Sequence, residues 1–500
     1  MLDYSSLNGR IDAFAAAVIE LGLERLGRVG VYLDKCFETV VSLFGASRAG
    51  GVFVPINPIL KPDQVGYIVR DCKVRILITS ADRLKGLAQA LSDCPDLRHV
   101  IVVGDGECHP AGGAVLHRWS DIHSAGLRVY HRAIDADMTA ILYTSGSTGS
   151  PKGVVLSHRN MVAGAHSVAS YLGNSPEDRI LTVLPLSFDY GLSQLTTAFA
   201  VGATAVLHNY LLPQDVVRAL SRERITGLAA VPPLWIQLAA LEWPMSIDAH
   251  LRYFTNSGGA MPTATLAALR TRLPSAKPFL MYGLTEAFRS TYLPPEEVDR
   301  RPTSMGKAIP NAEILVVRED GSECGPNEPG ELVHRGALVS LGYWNDPAKT
   351  AERFKPVPDQ RSELVIPEVA VWSGDTVRKD DEGYLYFISR RDEMIKTSGY
   401  RVSPTEIEEV LYATGSVAEA AAFGVDHDAL GQAIVIVVQP CSGHAPDTRA
   451  LLDACKARLP AYMVPLHVDW VEHALPRNAN GKIDRKSLAA ERSSLFGGMR

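Results

Sequence analysis

The residues with the most chemical content lie in one string, Tyr143-Thr144-Ser145-Gly146-Ser147-Thr148-Gly149-Ser150-Pro151-Lys152-Gly153. It follows an apolar run. Four hydroxyl side chains and two glycines fall within 144–149. Small residues let main-chain N–H groups approach an anion, and hydroxyls add donors. Lys152 adds a positive charge. This is chemistry for holding a polyphosphate. The spacing differs from the P-loop pattern G-x-x-x-x-G-K-[S/T], because Lys152 follows Pro151 and precedes Gly153. A Ser/Gly run alone reads as a surface turn, whereas the full string after a strand does not.

Further groups follow along the chain. Ser257-Gly258-Gly259-Ala260 has paired glycines, which let a ring approach the backbone closely. Tyr282-Gly283-Leu284-Thr285-Glu286 offers a π face, a hydroxyl donor and a hard oxygen ligand. Trp372-Ser373-Gly374-Asp375 offers a carboxylate suited to accepting hydrogen bonds from two hydroxyls. Arg390, Arg391 and Asp392 open a charged stretch that runs to Arg401, and Lys482 sits in Asn480-Gly481-Lys482-Ile483 near the C-terminus. Taken singly, Tyr282 reads as core, Asp375 as a turn residue, and Glu286 and Lys482 as solvated charges.

These groups need elements to position them. Apolar residues at 11, 14, 15, 18 and 21 mark one helical face. Strand-like runs fall at 29–33, 74–79, 100–103, 140–144, 180–184, 203–208 and 228–231, with helical stretches such as 192–201 and 216–222 between them. This alternation predicts an α/β fold with parallel sheets covered by helices. Gly and Pro become frequent after about 310, which predicts a β-rich subregion over 310–390. A compact α+β pattern follows: helices at 404–412 and 449–459, and strands at 418–425, 433–439 and 467–471. The expected organisation is a large domain over 1–390 and a small one over 391–500, long enough to fold alone.

Composition narrows the function. The 500 residues carry a net charge of −6 and are 46% hydrophobic, so a sizeable core is expected and disorder is not. A mildly acidic chain without a long basic run argues against nucleic-acid or anionic-membrane binding as its main role. No apolar run reaches the roughly 18 residues of a membrane span, and no secretory signal is visible. The seven cysteines are scattered and lack a C-x-x-C pair, which suits a reduced, cytoplasmic chain without a zinc site.

The string around Lys152 resembles the phosphate loop of the AMP-forming adenylate ligases: acyl-CoA synthetases, adenylation domains of nonribosomal peptide synthetases, and luciferases. The other groups match that superfamily in order, from about residue 5 to 486. The wording, as in Gly50-Gly51-Val52-Phe53-Val54-Pro55-Ile56-Asn57-Pro58, looks most like exosortase-associated acyl-CoA ligases. The family usually has a few tens of residues ahead of the segment matching 2–21. The resemblance implies that Thr144, Ser145, Gly146, Ser147, Thr148, Gly149 and Lys152 bind ATP, with Gly258, Gly259 and Ala260 lining the adenine and acyl sites. It implies that Tyr282, beside Gly283, stacks on adenine, and that Thr285 bonds the α-phosphate. It also implies that Glu286 holds Mg²⁺, that Asp375 and Arg390 bind ribose, and that Lys482 is the adenylation lysine. Asp392 falls at a hinge, and Gly399 at a loop near the thiol channel. Ser389 stands where the family usually has Gly.

The acid pocket is expected near Leu184-Pro185-Leu186-Ser187-Phe188-Asp189-Tyr190-Gly191. Phe188-Asp189 resembles the pair in amino-acid adenylation domains, whose Asp binds an ammonium. Arg289 lies in a region that also lines the pocket, so Asp189 and Arg289 could instead pair with each other. The implied reaction joins a small-molecule carboxylate to the thiol of CoA or of a carrier protein's phosphopantetheine, using ATP and Mg²⁺. Alternatives are an amino-acid ligase loading a carrier protein, remotely a luciferase-like oxidation, and a non-catalytic nucleotide-binding protein on the same fold. A monomer or homodimer is expected.

Overall fold

The computed structural model describes residues 1–108, 113–122, 130–144, 151–358, 363, 365–390, 393–397, 400–427, 430–478 and 481–496. Two seven-stranded sheets dominate the chain up to residue 308. The first runs in the order Val115–Arg118, His99–Val103, Val74–Ser80, Arg28–Tyr32, Val52–Pro55, Met138–Thr144, Lys152–Ser157. It is parallel except for the last pair. Of its central strands, Val52–Pro55 is buried throughout and Arg28–Tyr32 everywhere but at Arg28, as apolar runs in a helix-covered parallel sheet are.

The second sheet runs Lys307–Ala308, Thr291–Leu293, Lys277–Tyr282, Tyr253–Asn256, Gly227–Ala230, Arg179–Thr182, Thr204–Leu207. Its strands from Lys277–Tyr282 onward are parallel. The candidate segments 184–191, 257–260 and 283–286 therefore all follow the C-terminal ends of parallel strands of this sheet. That edge is where ligands bind in open α/β sheets.

The predicted β-rich stretch forms an antiparallel sheet: Ala312–Val317, Gly330–Gly336, Val369–Lys379 and Phe354–Pro356, with Leu385–Arg390 on the far part of Val369–Lys379. The C-terminal sheet holds Tyr400–Val402, Ile395–Thr397, Gly431–Pro440, Val417–His427 and His467–Trp470. Apolar clusters lie on it, one of them around Ile407, Leu411 and Ile436.

Most predicted elements lie within a residue or two of their observed bounds. Three helices begin earlier than periodicity alone suggests: Pro213–Arg222 opens on its proline, ahead of 216, and two more also start early. The first spans Tyr4–Glu20, because the Asp3 side chain caps it by accepting from Ser6 N at 2.7 Å. The other spans Asp189–Val201, which puts Asp189 in its first turn, a favourable place for a carboxylate.

His334 joins the third sheet to the second. It is fully buried, and its Nδ1 pairs with Ser290 Oγ at 2.9 Å. Burial pushes its pKa down to about 3. The folded state thus disfavours the proton that the unfolded state takes below about 6.5. Stability is full above that value and falls with pH toward 3, by up to about 5 kcal/mol. His334→Gln is expected to flatten this part of the acid side of a urea-midpoint profile. An unaltered slope would mean that the carboxylates alone set it.

Candidate active site

The string expected to hold phosphate begins at the end of Met138–Thr144, and Lys152 opens the antiparallel return strand with Thr144 opposite it. Ser145, Gly146, Ser147, Thr148 and Gly149 lie outside the described residues, as do Asp392 and Gly399. Lys152 Nζ sits 5.4 Å from the centre of the Tyr343 ring. The Tyr343 hydroxyl donates to Glu286 Oε1 at 2.7 Å. Lys152 and Glu286 thus face one place from different sheets, bridged by a tyrosine that the sequence reading did not single out. The Lys152 ammonium is held below its ordinary range, first by burial and next by Lys349.

The Ser257–Ala260 turn follows Tyr253–Asn256, and Asn256 Nδ2 secures it by donating to Gly259 O at 2.9 Å. Gly258 has φ +85°, and a Cβ there would stand 3.0 Å from Lys482 Cε. Gly259 and Ala260 are exposed.

Lys482 arrives from the C-terminal sheet's side of the molecule. It sits on a tight turn closed by the Arg477–Ile483 bridge, and Asn478 Oδ1 accepts from its main-chain N at 3.1 Å. Its Nζ lies 5.8 Å from the Phe188 ring centre. Burial and then Arg390 lower its pKa, while Asp189, Glu393 and Asp375 oppose that shift.

A second cluster combines Tyr282, Asp375 and Arg390. Asp375 and Arg390 face each other across Val369–Lys379 and Leu385–Arg390. The Tyr282 hydroxyl donates to Asp375 Oδ2. Arg390 Nε stands 3.1 Å from Asp375 Oδ1, but Oδ1 has no hydrogen-bond partner among the described residues. A buried acceptor left open in this way suits a ligand hydroxyl. Burial raises the Asp375 pKa, against Arg390 and Tyr282.

The predicted acid pocket holds Asp189, Tyr190, Thr285 and Arg289 together. Thr285 Oγ1 donates to Asp189 Oδ1 at 3.3 Å, and Arg289 Nη1 lies 3.5 Å from Asp189 Oδ2. Gly283 passes close by, with its absent Cβ 3.3 Å from Arg289 Cα. Phe288, at φ 53°, turns the chain so that Arg289 points inward over the Tyr190 ring, 4.5 Å from its centre. Burial is the main influence on Asp189 and raises its pKa, with Arg289 and Lys482 opposing. Gly191 allows this helix start to pack, since a Cβ there would lie 2.0 Å from Pro185 O.

Comparisons with known proteins place the chain in a family. The AMP-binding enzyme family matches residues 1–344, and the AMP-binding enzyme C-terminal domain matches 406–482. The chain is 31% identical to the L-proline--[L-prolyl-carrier protein] ligase of Pseudomonas fluorescens, over 98% of this chain and 94% of that one. It is 30% identical to the indoleacetate--CoA ligase of Aromatoleum aromaticum, over 99% and 94%. A linear gramicidin synthase protein of Brevibacillus parabrevis matches at 29% over 98% of this chain, but the chain spans only 6% of that protein's length. Among solved structures, ATP-bound MatB from Rhodopseudomonas palustris superposes with a TM-score of 0.86 at 25% identity, covering 99% of this chain and 94% of MatB. The apo form of MatB, with the same identity and coverage, gives 0.74. Among the described residues no helix is long and apolar enough to cross a membrane. On the extent of these matches, the chain belongs to the AMP-binding enzyme family.

Proposed function

We propose that the chain is an ATP-dependent, AMP-forming acid–thiol ligase. A carboxylate oxygen attacks the α-phosphorus of ATP and pyrophosphate leaves. A thiol, the pantetheine of CoA or of a carrier protein, then attacks the acyl carbonyl and AMP leaves. The observation that carries this reading is the convergence of Lys482 with Gly258, Asp189 and Phe188, beside Thr285 and the Tyr282–Asp375–Arg390 cluster.

In this reading Lys482 neutralises charge that develops on the attacking carboxylate and the α-phosphate. Thr285 donates to the α-phosphate, Asp375 and Arg390 hold the ribose, Tyr282 lies against the adenine, and Lys152 holds the outer phosphates. Glu286 fits Mg²⁺, which takes one or two carboxylates alongside substrate phosphates and water. Tyr343 fixes Glu286 Oε1 and leaves Oε2 for such an ion. The ion would supply charge neutralisation for the phosphates.

Two half-reactions need different groups at one place. A small domain over 391–500, turning on a large one over 1–390 about Asp392, would bring Lys482 for the first and the Gly399 loop for the second. The higher similarity to ATP-bound than to apo MatB supports an arrangement poised for adenylation. All seven cysteines are free, in keeping with a cytoplasmic enzyme.

The deciding experiment is acid-dependent ATP–pyrophosphate exchange over a mixed acid panel, followed by thioester formation with CoA or with a phosphopantetheinylated carrier protein. Absence of exchange with every acid would leave a nucleotide-binding protein. A second reading, an amino-acid ligase loading a carrier, is favoured by the likeness to the L-proline carrier-protein ligase. Exchange confined to amino acids and lost in Asp189→Ala would establish it.

Gly258→Ala tests the lysine's seat. The new Cβ would crowd Lys482 Cε and occupy a φ that suits glycine. Displacement of about 1 Å at a reacting centre costs on the order of 10²-fold. Single-turnover adenylation should fall by that amount, with thioester formation from pre-made acyl-adenylate much less affected. Equal losses would show a general collapse of the site.

A further inference from the structure

Beyond the Asp189–Arg289 pair lies a cavity of about 30 Å³, lined along one side by Tyr190, Ser193, Gln194 and Thr197. Their spacing places these four on one face of the helix Asp189–Val201. All four are buried. A helix face packed into a core is ordinarily apolar, so a polar stripe at this depth asks for partners.

Several of its atoms have none. Gln194 Oε1, Thr197 Oγ1, and both Nε and Nη2 of Arg289 lack a hydrogen-bond partner among the described residues. Arg289 is 2% exposed, Gln194 5% and Thr197 2%. The amide of Gln194 is fixed in sense, because Nε2 donates to Ala229 O at 3.4 Å and turns Oε1 away from that carbonyl. Tyr190 is anchored by its hydroxyl contact with Thr255 Oγ1 at 2.5 Å, and it holds the guanidinium on its face. The guanidinium is therefore rigid, buried and lining a cavity, yet it uses only Nη1, in a 3.5 Å contact with Asp189.

The asymmetry between the two charged partners is informative. Asp189 has both oxygens engaged, one by Thr285 and one by Arg289. Arg289 keeps two donor nitrogens open, Nε and Nη2. The open capacity of the guanidinium is for an acceptor, while Gln194 Oε1 on the facing helix takes a donor. A planar guanidinium matches a carboxylate through two parallel N–H···O bonds. Gln194 and Thr197 put orphan polar atoms on one wall beside Arg289, while the rest of the lining includes apolar Val168, Leu172, Ile180 and Met281.

We propose that the acid activated here is a short dicarboxylic acid, with Arg289 binding the carboxylate remote from the one that reacts. This rests on the acid–thiol ligase reading above. Burial already disfavours the Asp189 anion, so Asp189 can accept a proton when a substrate carboxylate takes over the guanidinium.

The test is acid-dependent ATP–pyrophosphate exchange with matched acids: malonate, succinate and glutarate, the monoamide of each, butyrate, β-alanine, aspartate and decanoate. One dicarboxylate should exceed its own monoamide in kcat/KM by about 10²-fold or more, as expected where a site built for a polar group meets an analogue lacking it. Arg289→Met should abolish that ratio. Arg289→Lys keeps a cation opposite Asp189 and should retain part of the ratio even if the Met variant does not fold. Fastest exchange with a monocarboxylate or an amino acid would overturn the proposal while leaving the ligase reading intact. So would a dicarboxylate-to-monoamide ratio unchanged in Arg289→Lys and Arg289→Met. No exchange with any acid would overturn the ligase reading, and this inference with it.

Discussion

Lys482→Ala is expected to slow acyl-adenylate formation by at least roughly 10²-fold, the loss typical of removing one preorganised transition-state donor. The same variant should keep most of its capacity to form thioester from pre-made acyl-adenylate. The reasoning is positional. Lys482 reaches its place from a turn that packs with the C-terminal sheet, and in that place it lies against Gly258 and near Asp189. A group delivered by a separate part of the chain can serve one half-reaction and withdraw for the other. Equal loss of both halves would mean that Lys482 holds the site together and does not act on one step. The pH profile supplies an independent readout. Burial and Arg390 draw the Lys482 pKa below its ordinary 10.5, and the ammonium is the active form. Adenylation should therefore fall as pH rises through a value below 10.5, and Lys482→Ala should lack that alkaline limb.

Much of this site was legible because its parts sit where sequence carries local information. The glycine turns at 257–260 and 283–286 follow apolar strands, and strand-then-turn is a pattern that adjacent residues reveal. Parallel pairing of the strands behind them then forces those turns to one edge, so proximity follows from topology. The partnerships across sheets were not legible. Tyr343 donates to Glu286 from 57 positions away, and nothing in the residues around Tyr343 marks it as different from a core tyrosine. The hydroxyl of Tyr282 was assigned no task, yet it donates to Asp375 from 93 positions away. The polar face of Asp189–Val201 was hidden for a different reason. Ser193, Gln194 and Thr197 are short or neutral and alternate with apolar residues, so the segment reads as an ordinary helix until their burial is known. The sequence posed the choice between Asp189 binding an ammonium and Asp189 pairing with Arg289. Only the structure shows the two in contact with the guanidinium's other donors left over.

Asp375→Ala is expected to raise the KM for ATP by about 10²-fold while changing the KM for the acid far less. Asp375 is 2% exposed, and its two oxygens play different parts. Oδ2 accepts from Tyr282, which ties the carboxylate to the strand that leads into Thr285 and Glu286. Oδ1 lies near Arg390 but lacks a hydrogen-bond partner among the described residues, so it is the atom open to a ribose hydroxyl. A hydrogen bond to a charged acceptor is worth about 1.5–3 kcal/mol net of water, and one in the upper part of that range accounts for the expected loss. Ground-state and transition-state ribose contacts are alike, so the damage should appear in KM more than in kcat. Asp375→Asn keeps the shape and one acceptor and should fall between the wild type and Asp375→Ala. Acid titration tests the same assignment. Burial raises the Asp375 pKa, so the carboxylate takes its proton above the ordinary 3.8 as pH falls. Protonation removes an acceptor, and the KM for ATP should climb on the acid side of that raised value. In Asp375→Asn this climb should be absent. A KM for ATP that is unmoved in both variants would place the ribose elsewhere, and would leave Asp375 as a strut between Arg390 and Tyr282.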